Sequence, residues 1–529
     1  MKAIIEANDV SNALAGKKVI LLLEPQRRQF YIDSIRKIID LSNESFIEFK
    51  CVLLFHPKRI WSIGPKNKVR REITNQYTSQ LQNFSSQYRK FTLELKPLRT
   101  SWRDVTRVLL RPNRNLGGFS DLYNSTLSIA YSSQYIPEWA IGLPRFRLYK
   151  LKIQSSIKWR KSWIATSETL STSGKNSLVI FLNGRLPGQA AIREYCENNG
   201  TEFLVLEQGT PKNEKFHIQF CQTQDTYQLR QINLARLENL MKDDTNRLSA
   251  TAWGIEWLRR QMGSEQNRFA IWERPDRIED SGSLNSLFDK EPKIATFFNS
   301  SLEERFSNKG MELNGWKNQA EAFRHSMQVA KEEGFFTILR IHPNYTRKNI
   351  RNLSYLLARV QKFSDIIIFP WEAVSTPRLI AKSNVVVTWG STVSLESTFN
   401  GTPTIMLGRT TYDNLIDVKI CHKDDVTVAF KELTTPSSEK SAIATFLGKN
   451  SGLNLESKGA YKRVYDKKLN NRVRVYFSTL LALIVRGRNI TPRDLLILFG
   501  PFLGEKKAVS FLQKTFKIYL FICKRINSR

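Results

Sequence analysis

Residues 385–408 read VVVTWGSTVSLESTFNGTPTIMLG, and their order decides the fold. The run from Val385 to Trp389 is apolar and β-branched, which is the pattern of a strand buried on both faces. Gly390 permits a sharp turn out of the strand. Ser391 is expected to cap a helix over 392–399. Gly401 suits the position just past its end, and Pro403 prevents its continuation. Residues 404–407 return as a second strand. The backbone N–H groups and dipole at such a helix start attract phosphate, and ligands of open parallel sheets bind beyond the carboxyl ends of the strands. Thr392 and Glu396 are four apart and share a helix face, so Glu396 would lie one turn deeper, where it can accept hydrogen bonds from ribose hydroxyls. Two plainer readings stay open: Ser391 as a simple helix cap, and Glu396 as a solvated helix residue.

The same alternation extends to both sides. Towards the N-terminus it begins with IATFFNSS (294–301) and continues as strand 336–341, helix about 346–361, strand 366–370 and helix about 376–382. In FFTILRIHPN (335–344) the His342-Pro343 pair falls at the carboxyl end of a strand, which the proline stops. Three strands of one sheet would then present Asn299–Ser301, His342–Asn344 and Gly390–Thr392 on one edge. His342, either protonated or as an N–H donor, can bind a phosphate there. The candidate phosphate- and ribose-binding set is Ser300, Ser301, His342, Asn344, Gly390, Ser391, Thr392 and Glu396. A lone histidine is more often structural, and the convergence of three polar loops is what favours a site.

The first half repeats the pattern. Strands are expected at 18–24, 47–55, 105–110, 177–185 and 202–209, with helices at 30–41 and about 189–199, the latter closed by Asn199-Gly200. Residues 72–90 read as a polar surface stretch, and 225–275 as mainly helical. In FLNGRLPG (181–188), Gly184 allows close backbone approach and Arg185 offers a bidentate donor. Glu207, in LEQG (206–209), is a candidate general base for an acceptor hydroxyl. An ordinary loop carboxylate paired with an arginine is the equal alternative. The polar, Gly/Ser/Pro-containing stretch 276–292 marks a boundary. The expected division is 1–275, 290–455 and a basic, helical tail over 456–529.

A chain of 529 residues exceeds one ordinary core. With 81 Lys and Arg against 49 Asp and Glu the net charge is +32, which favours anionic partners. The tail from Tyr461 carries 16 basic and three acidic residues around the apolar clusters 476–485 and 495–503. These clusters are too short to span a bilayer but suit interfacial helices, or else a final helical layer packed on the domains. The five cysteines are scattered, so neither a disulfide framework nor a structural zinc site is indicated, and a reducing compartment fits. The N-terminus, with Glu6 and Asp9, does not read as a signal peptide.

At these motifs the sequence resembles the capsule and surface-polysaccharide biosynthesis glycosyltransferases. The similar elements are NGR at 183–185, the strand end holding Glu207, FFNSSLEE at 297–304, RIHPN at 340–344, and WGSTVSLE with GTPTIMLG at 389–408. The His-Pro and Ser-Thr pairs are similar to those of bacterial sialyltransferases and Kdo transferases. The resemblance covers roughly 177–415. It implies an α/β, GT-B-like fold: two Rossmann-like domains facing across a cleft, the C-terminal one holding a nucleotide-sugar and the N-terminal one the acceptor. His342 and Ser391–Thr392 would contact the donor phosphate and Glu396 the ribose. Asn183, Gly184 and Arg185 would lie on the acceptor side, with Glu207 and His342 catalytic. LEQG only partly matches the acidic-acidic-Gly motif of sialyltransferases. No DxD motif is present, consistent with metal-independent transfer and no cofactor beyond the donor substrate. The expected partners are a nucleotide-sugar, a glycan or lipid-linked glycan acceptor and an anionic membrane surface on the cytoplasmic face of the inner membrane, with no nucleic acid. The competing readings are a nucleic-acid-binding protein, a nucleotide-sugar epimerase and a non-catalytic polysaccharide-export component of the same fold.

Overall fold

The computed structural model describes Leu14 and residues 16–24, 35–36, 48–55, 65–88, 90–99, 103–104, 106, 145–173, 176–182, 186–208, 218–221, 226–262, 288, 293–300, 315–342, 356–357, 359–368 and 374–449. Asn183, Gly184, Arg185, Ser301, Asn344 and the basic tail lie outside these residues. So do most of the expected helices over 30–41 and 346–361.

The first sheet contains β1 (Lys18–Leu23), β2 (Phe49–Phe55), β3 (Phe91–Pro97), β4 (Ser177–Leu182), β5 (Phe203–Gln208) and β6 (Ile218–Cys221), in the order β3-β2-β1-β4-β5-β6. All neighbours are parallel except β5 and β6. The second holds β7 (Ile294–Phe298), β8 (Phe336–Arg340), β9 (Ile366–Ile368), β10 (Val385–Thr388), β11 (Thr404–Met406) and β12 (Lys419–Ile420), ordered β12-β11-β10-β7-β8-β9 and wholly parallel. The expected α/β architecture of parallel sheets with flanking helices is therefore present. In each sheet the strand order reverses once, between β1 and β4 and between β7 and β10. Such a switch point opens a crevice at the carboxyl ends of the two strands.

The continuous apolar runs follow from burial on both faces. In the first sheet Val19, Leu21, Leu23, Cys51, Leu53, Ile180 and Leu182 pack under helix α1 (Pro65–Gln87) through Tyr77, Leu81 and Phe84. The alternate residues Ile20, Leu22, Val52, Val179, Phe181 and Val205 pack against Ala165 of α2 (Arg145–Ser171) and Ile192 and Cys196 of α3 (Pro187–Asn198). The stretch 72–90 is thus mostly a helix, polar and solvent-facing as expected apart from one buried stripe. Its buried residues fall at i, i+4 and i+7, one helical stripe among polar neighbours. Thr106 is helical within the expected strand over 105–110, whose other residues lie outside those described, and Asp104 pairs with Lys161 of α2 at 3.1 Å.

The helical stretch after β6 forms α4 (Thr226–Leu240) and α5 (Asp244–Met262). Both precede residue 276 in the chain, yet they pack with the second sheet. Leu258, Trp257, Leu234 and Leu237 join Leu395 and Met406 in one cluster with Ile443 and Leu447 of α10 (Ser438–Lys449), which follows the short α9 (Val426–Lys431). The approach of α5 to α10 is close: a Cβ on Gly254 would stand 2.0 Å from the Ala442 carbonyl oxygen. On the other flank α6 (Gln319–Glu332) covers β7 through a T-shaped Phe323–Phe297 contact of 5.8 Å between ring centroids. Helix α7 (Thr376–Ala381) supplies Leu379 and Ile380 beneath Ile294, Phe298 and Val386. Among the described residues no helix is long and apolar enough to cross a membrane.

Candidate functional site

Parallel register brings three strand ends level at the second switch point. Phe298 pairs with Arg340 on one side and with Thr388 on the other. The residues that follow each strand, Asn299–Ser300, Ile341–His342 and Trp389–Ser391, therefore leave the sheet on one edge. The Oδ1 of Asn299 accepts the backbone N–H of His342 at 2.6 Å, which ties two of these exits together. The third turns at Gly390, whose φ of +72° lies in the left-handed region that favours glycine.

Helix α8 (Val393–Phe399) follows that turn. Its cap position is Thr392, whose side chain makes no capping bond, and not Ser391 as expected. The Ser391 hydroxyl accepts the Val393 N–H at 3.4 Å, and its carbonyl accepts the N–H and hydroxyl of Ser394 at 3.0 and 2.8 Å. Gly401 closes the helix as anticipated, with φ +77° and its N–H on the Thr398 carbonyl at 3.1 Å. Glu396 is half-buried and lies near Tyr412. Burial pushes the Tyr412 phenol far above its usual range, Asp413 and Glu396 push it the same way, and hydrogen bonds to Ser394 and Thr410 partly oppose them. The phenol is a permanent hydrogen-bonding group at neutral pH.

Burial, and then the neighbouring Arg340 charge, lower the His342 pKa from 6.5 to about 4. Of the two forms that the sequence leaves open, the neutral ring is the one present at pH 7, with one N–H to donate. An NMR titration should find the His342 ring uncharged through pH 5, with its midpoint near 4, while a solvated histidine titrates near 6.5. A midpoint at 6.5 or above would contradict this isolation. The sign for stability follows: the unfolded chain binds this proton more readily, so the His342 contribution is complete above about pH 6.5 and is lost as pH falls towards 4.

At the first switch point Glu24 directly follows β1, which pairs with β4. Its carboxylate is buried, at 4% exposure. Lys158 of α2 pairs with Oε2 at 2.5 Å, Gln189 of α3 donates to the same oxygen at 3.1 Å, and the Ser162 hydroxyl donates to Oε1 at 3.5 Å. A Cβ on Gly188 would stand 1.7 Å from Oε1, so any larger residue there would displace the Glu24 carboxylate. Sequence reading missed this cluster. The available signal was an acid ending the apolar run KVILLLE (18–24) at the carboxyl end of a strand. Glu207 stands at the end of β5, as the sequence suggests, paired in register with Gln219 of β6. The Cys51, Cys196 and Cys421 thiols are buried and have raised pKa values, up to about 12 for Cys196 and Cys421, so they remain protonated. Among the described residues no three His, Cys, Asp or Glu side chains gather as a metal ion would need.

No protein-family model matches the chain. No curated protein matches it either. Solved structures align at low identity. The UDP-GlcNAc 2-epimerase of Neisseria meningitidis, bound to UDP-GlcNAc, is 12% identical over 78% of this chain and 90% of its own, with a TM-score of 0.27. The β-Kdo 2,7 transferase KpsC of Thermosulfurimonas dismutans is 18% identical over 51% of this chain and 80% of its own, at 0.29. The α,α-trehalose 6-phosphate synthase of Burkholderia multivorans is 10% identical over 94% and 100%, at 0.32. At such values the likeness carries no argument for this chain, whose architecture rests on its own two sheets.

Proposed function

We propose that the protein is a glycosyltransferase that moves a sugar from a nucleotide-sugar donor to a growing surface polysaccharide. The observation that carries the reading is the convergence of Asn299–Ser300, His342 and Gly390–Thr392 at the switch point of the second sheet. Open parallel sheets receive nucleotides at such points. In this reading the N–H groups of the 390–392 turn and the neutral His342 ring stabilise charge on the departing nucleotide phosphate. Glu396, half-buried in the first turn of α8, takes the ribose hydroxyls. A carboxylate of the first sheet, Glu207, accepts the proton of the acceptor hydroxyl. The +32 net charge supports an acceptor that is anionic or held at an anionic cytoplasmic leaflet.

The test is thermal stabilisation of the wild type, His342→Ala and Ser391→Ala by CMP-, UDP- and GDP-sugars, with nucleic acid as the control. A ligand at 100 times its Kd adds about 2.7 kcal/mol. One nucleotide class should stabilise the wild type and neither variant. Stabilisation by nucleic acid alone, unchanged in both variants, would overturn the reading. An epimerised free sugar nucleotide without transfer would replace it with an epimerase.

A further inference from the structure

Asn299 is the first residue after β7 and is only 2% exposed. Its amide orientation is dictated by chemistry. The His342 N–H at 2.6 Å requires an acceptor, so the oxygen faces it and the nitrogen faces away. That nitrogen, Nδ2, is buried and has no hydrogen-bond partner among the described residues. Nearly all buried polar groups are paired, so a buried amide donor with nothing to donate to calls for a reason. One half of this amide has a clear structural purpose and the other half has none among the described residues. Thr388, which ends β10 in register with Phe298, adds a second buried polar atom without a partner, its Oγ1, at the same strand ends.

We infer that Asn299 is a positioning residue of the donor site: Oδ1 holds the His342 backbone in place, and Nδ2 donates to an oxygen of a bound nucleotide phosphate. This rests on the functional reading above, because it takes the occupant of the β7/β10 switch point to be a nucleotide. The inference needs no movement of the His342 backbone, since one amide makes both bonds from one side-chain conformation.

The experiment measures binding of CMP, UDP and GDP by calorimetry between pH 5 and pH 8 to the wild type, Asn299→Asp and Asn299→Ala. Each protein's melting is recorded beside it. The aspartate keeps the acceptor for the His342 N–H but sets a carboxylate where the amide donates. Its affinity for the nucleotide that binds wild type should fall at least tenfold at pH 8. It should stay low at pH 5, because an aspartate carboxyl ordinarily titrates at about 3.9 and has no hydrogen to donate there. His342, whose N–H this side chain accepts, has a pKa of about 4 and is neutral over most of the range, with the Arg340 charge beside it. Asn299→Ala should bind weakly at every pH. Equal affinity of Asn299→Asp and wild type at pH 8 overturns the role of Asn299 while leaving the site intact. Loss of affinity that only follows loss of melting temperature in both variants overturns it too, by marking a purely structural residue. A wild type that binds none of the three nucleotides overturns the site itself.

Discussion

Asp413→Ala should cost the second half of the molecule about 3–5 kcal/mol, the range for breaking a buried ion pair from one side. The Asp413 side chain is wholly buried, and Arg409 grips it with Nε on Oδ2 at 2.8 Å and Nη2 on Oδ1 at 3.3 Å. The Thr410 N–H donates to Oδ2 at 2.8 Å, and Arg230 of α4 approaches the same oxygen at 3.8 Å while donating to the Thr410 carbonyl at 3.3 Å. Removing the carboxylate leaves a buried Arg230 guanidinium and the Thr410 N–H without this acceptor. Arg409→Ala should cost about 1 kcal/mol or less, because Arg409 is 28% exposed and Asp413 keeps its other partners. The network also docks α4: Asn233 Nδ2 donates to the Thr411 carbonyl at 3.0 Å, and Asn414 Nδ2 to the Arg230 carbonyl at 3.5 Å. A chain with two sheets need not unfold in one step, so hydrogen exchange over 226–240 and 404–416 is the suitable measurement. Equal loss of protection in the two variants would show that the buried carboxylate is not the keystone of this contact.

Lys158→Met should cost the first sheet about 3 kcal/mol, the low end of the same range, since Lys158 is a quarter exposed and water screens part of the pair. Glu24 would keep Gln189 and Ser162 but lose its counter-charge. Adding Glu24→Gln should recover most of the loss, because a neutral amide needs no cation beside it. Exchange over 18–24 and 187–198 reads both. A double variant no more protected than the single one would rule the charge pair out as the cause.

Much of the secondary structure was legible in the sequence. Residues 385–408 folded as strand, turn, helix and strand within a residue or so of expectation, because β-branched runs, Gly390, Gly401 and Pro403 act on their immediate neighbours. Helix α1 was missed although Tyr77, Leu81 and Phe84 form a readable stripe, since the polar residues between them masked it. The edge strand β3, FTLELKP, was missed because only part of it is buried. Asp413 looks like any surface acid in a sequence, and Glu24 is marked only by ending an apolar run.

What the sequence determined by itself was local: the strand–turn–helix–strand run over 385–408, most of the buried strands, and that polar residues follow several strand ends. The tertiary structure decided what depends on neighbours distant in the chain. It set the strand orders β3-β2-β1-β4 and β11-β10-β7-β8, the packing of α4 and α5 on the second sheet, and the neutral state of His342. It also joined Asn299 to His342 across 43 residues. The physical reason is that parallel pairing links strands through long crossovers. Alternation along one strand says which residues are buried, but not against which partner, and burial against a particular partner is what shifts a charge or orphans a donor.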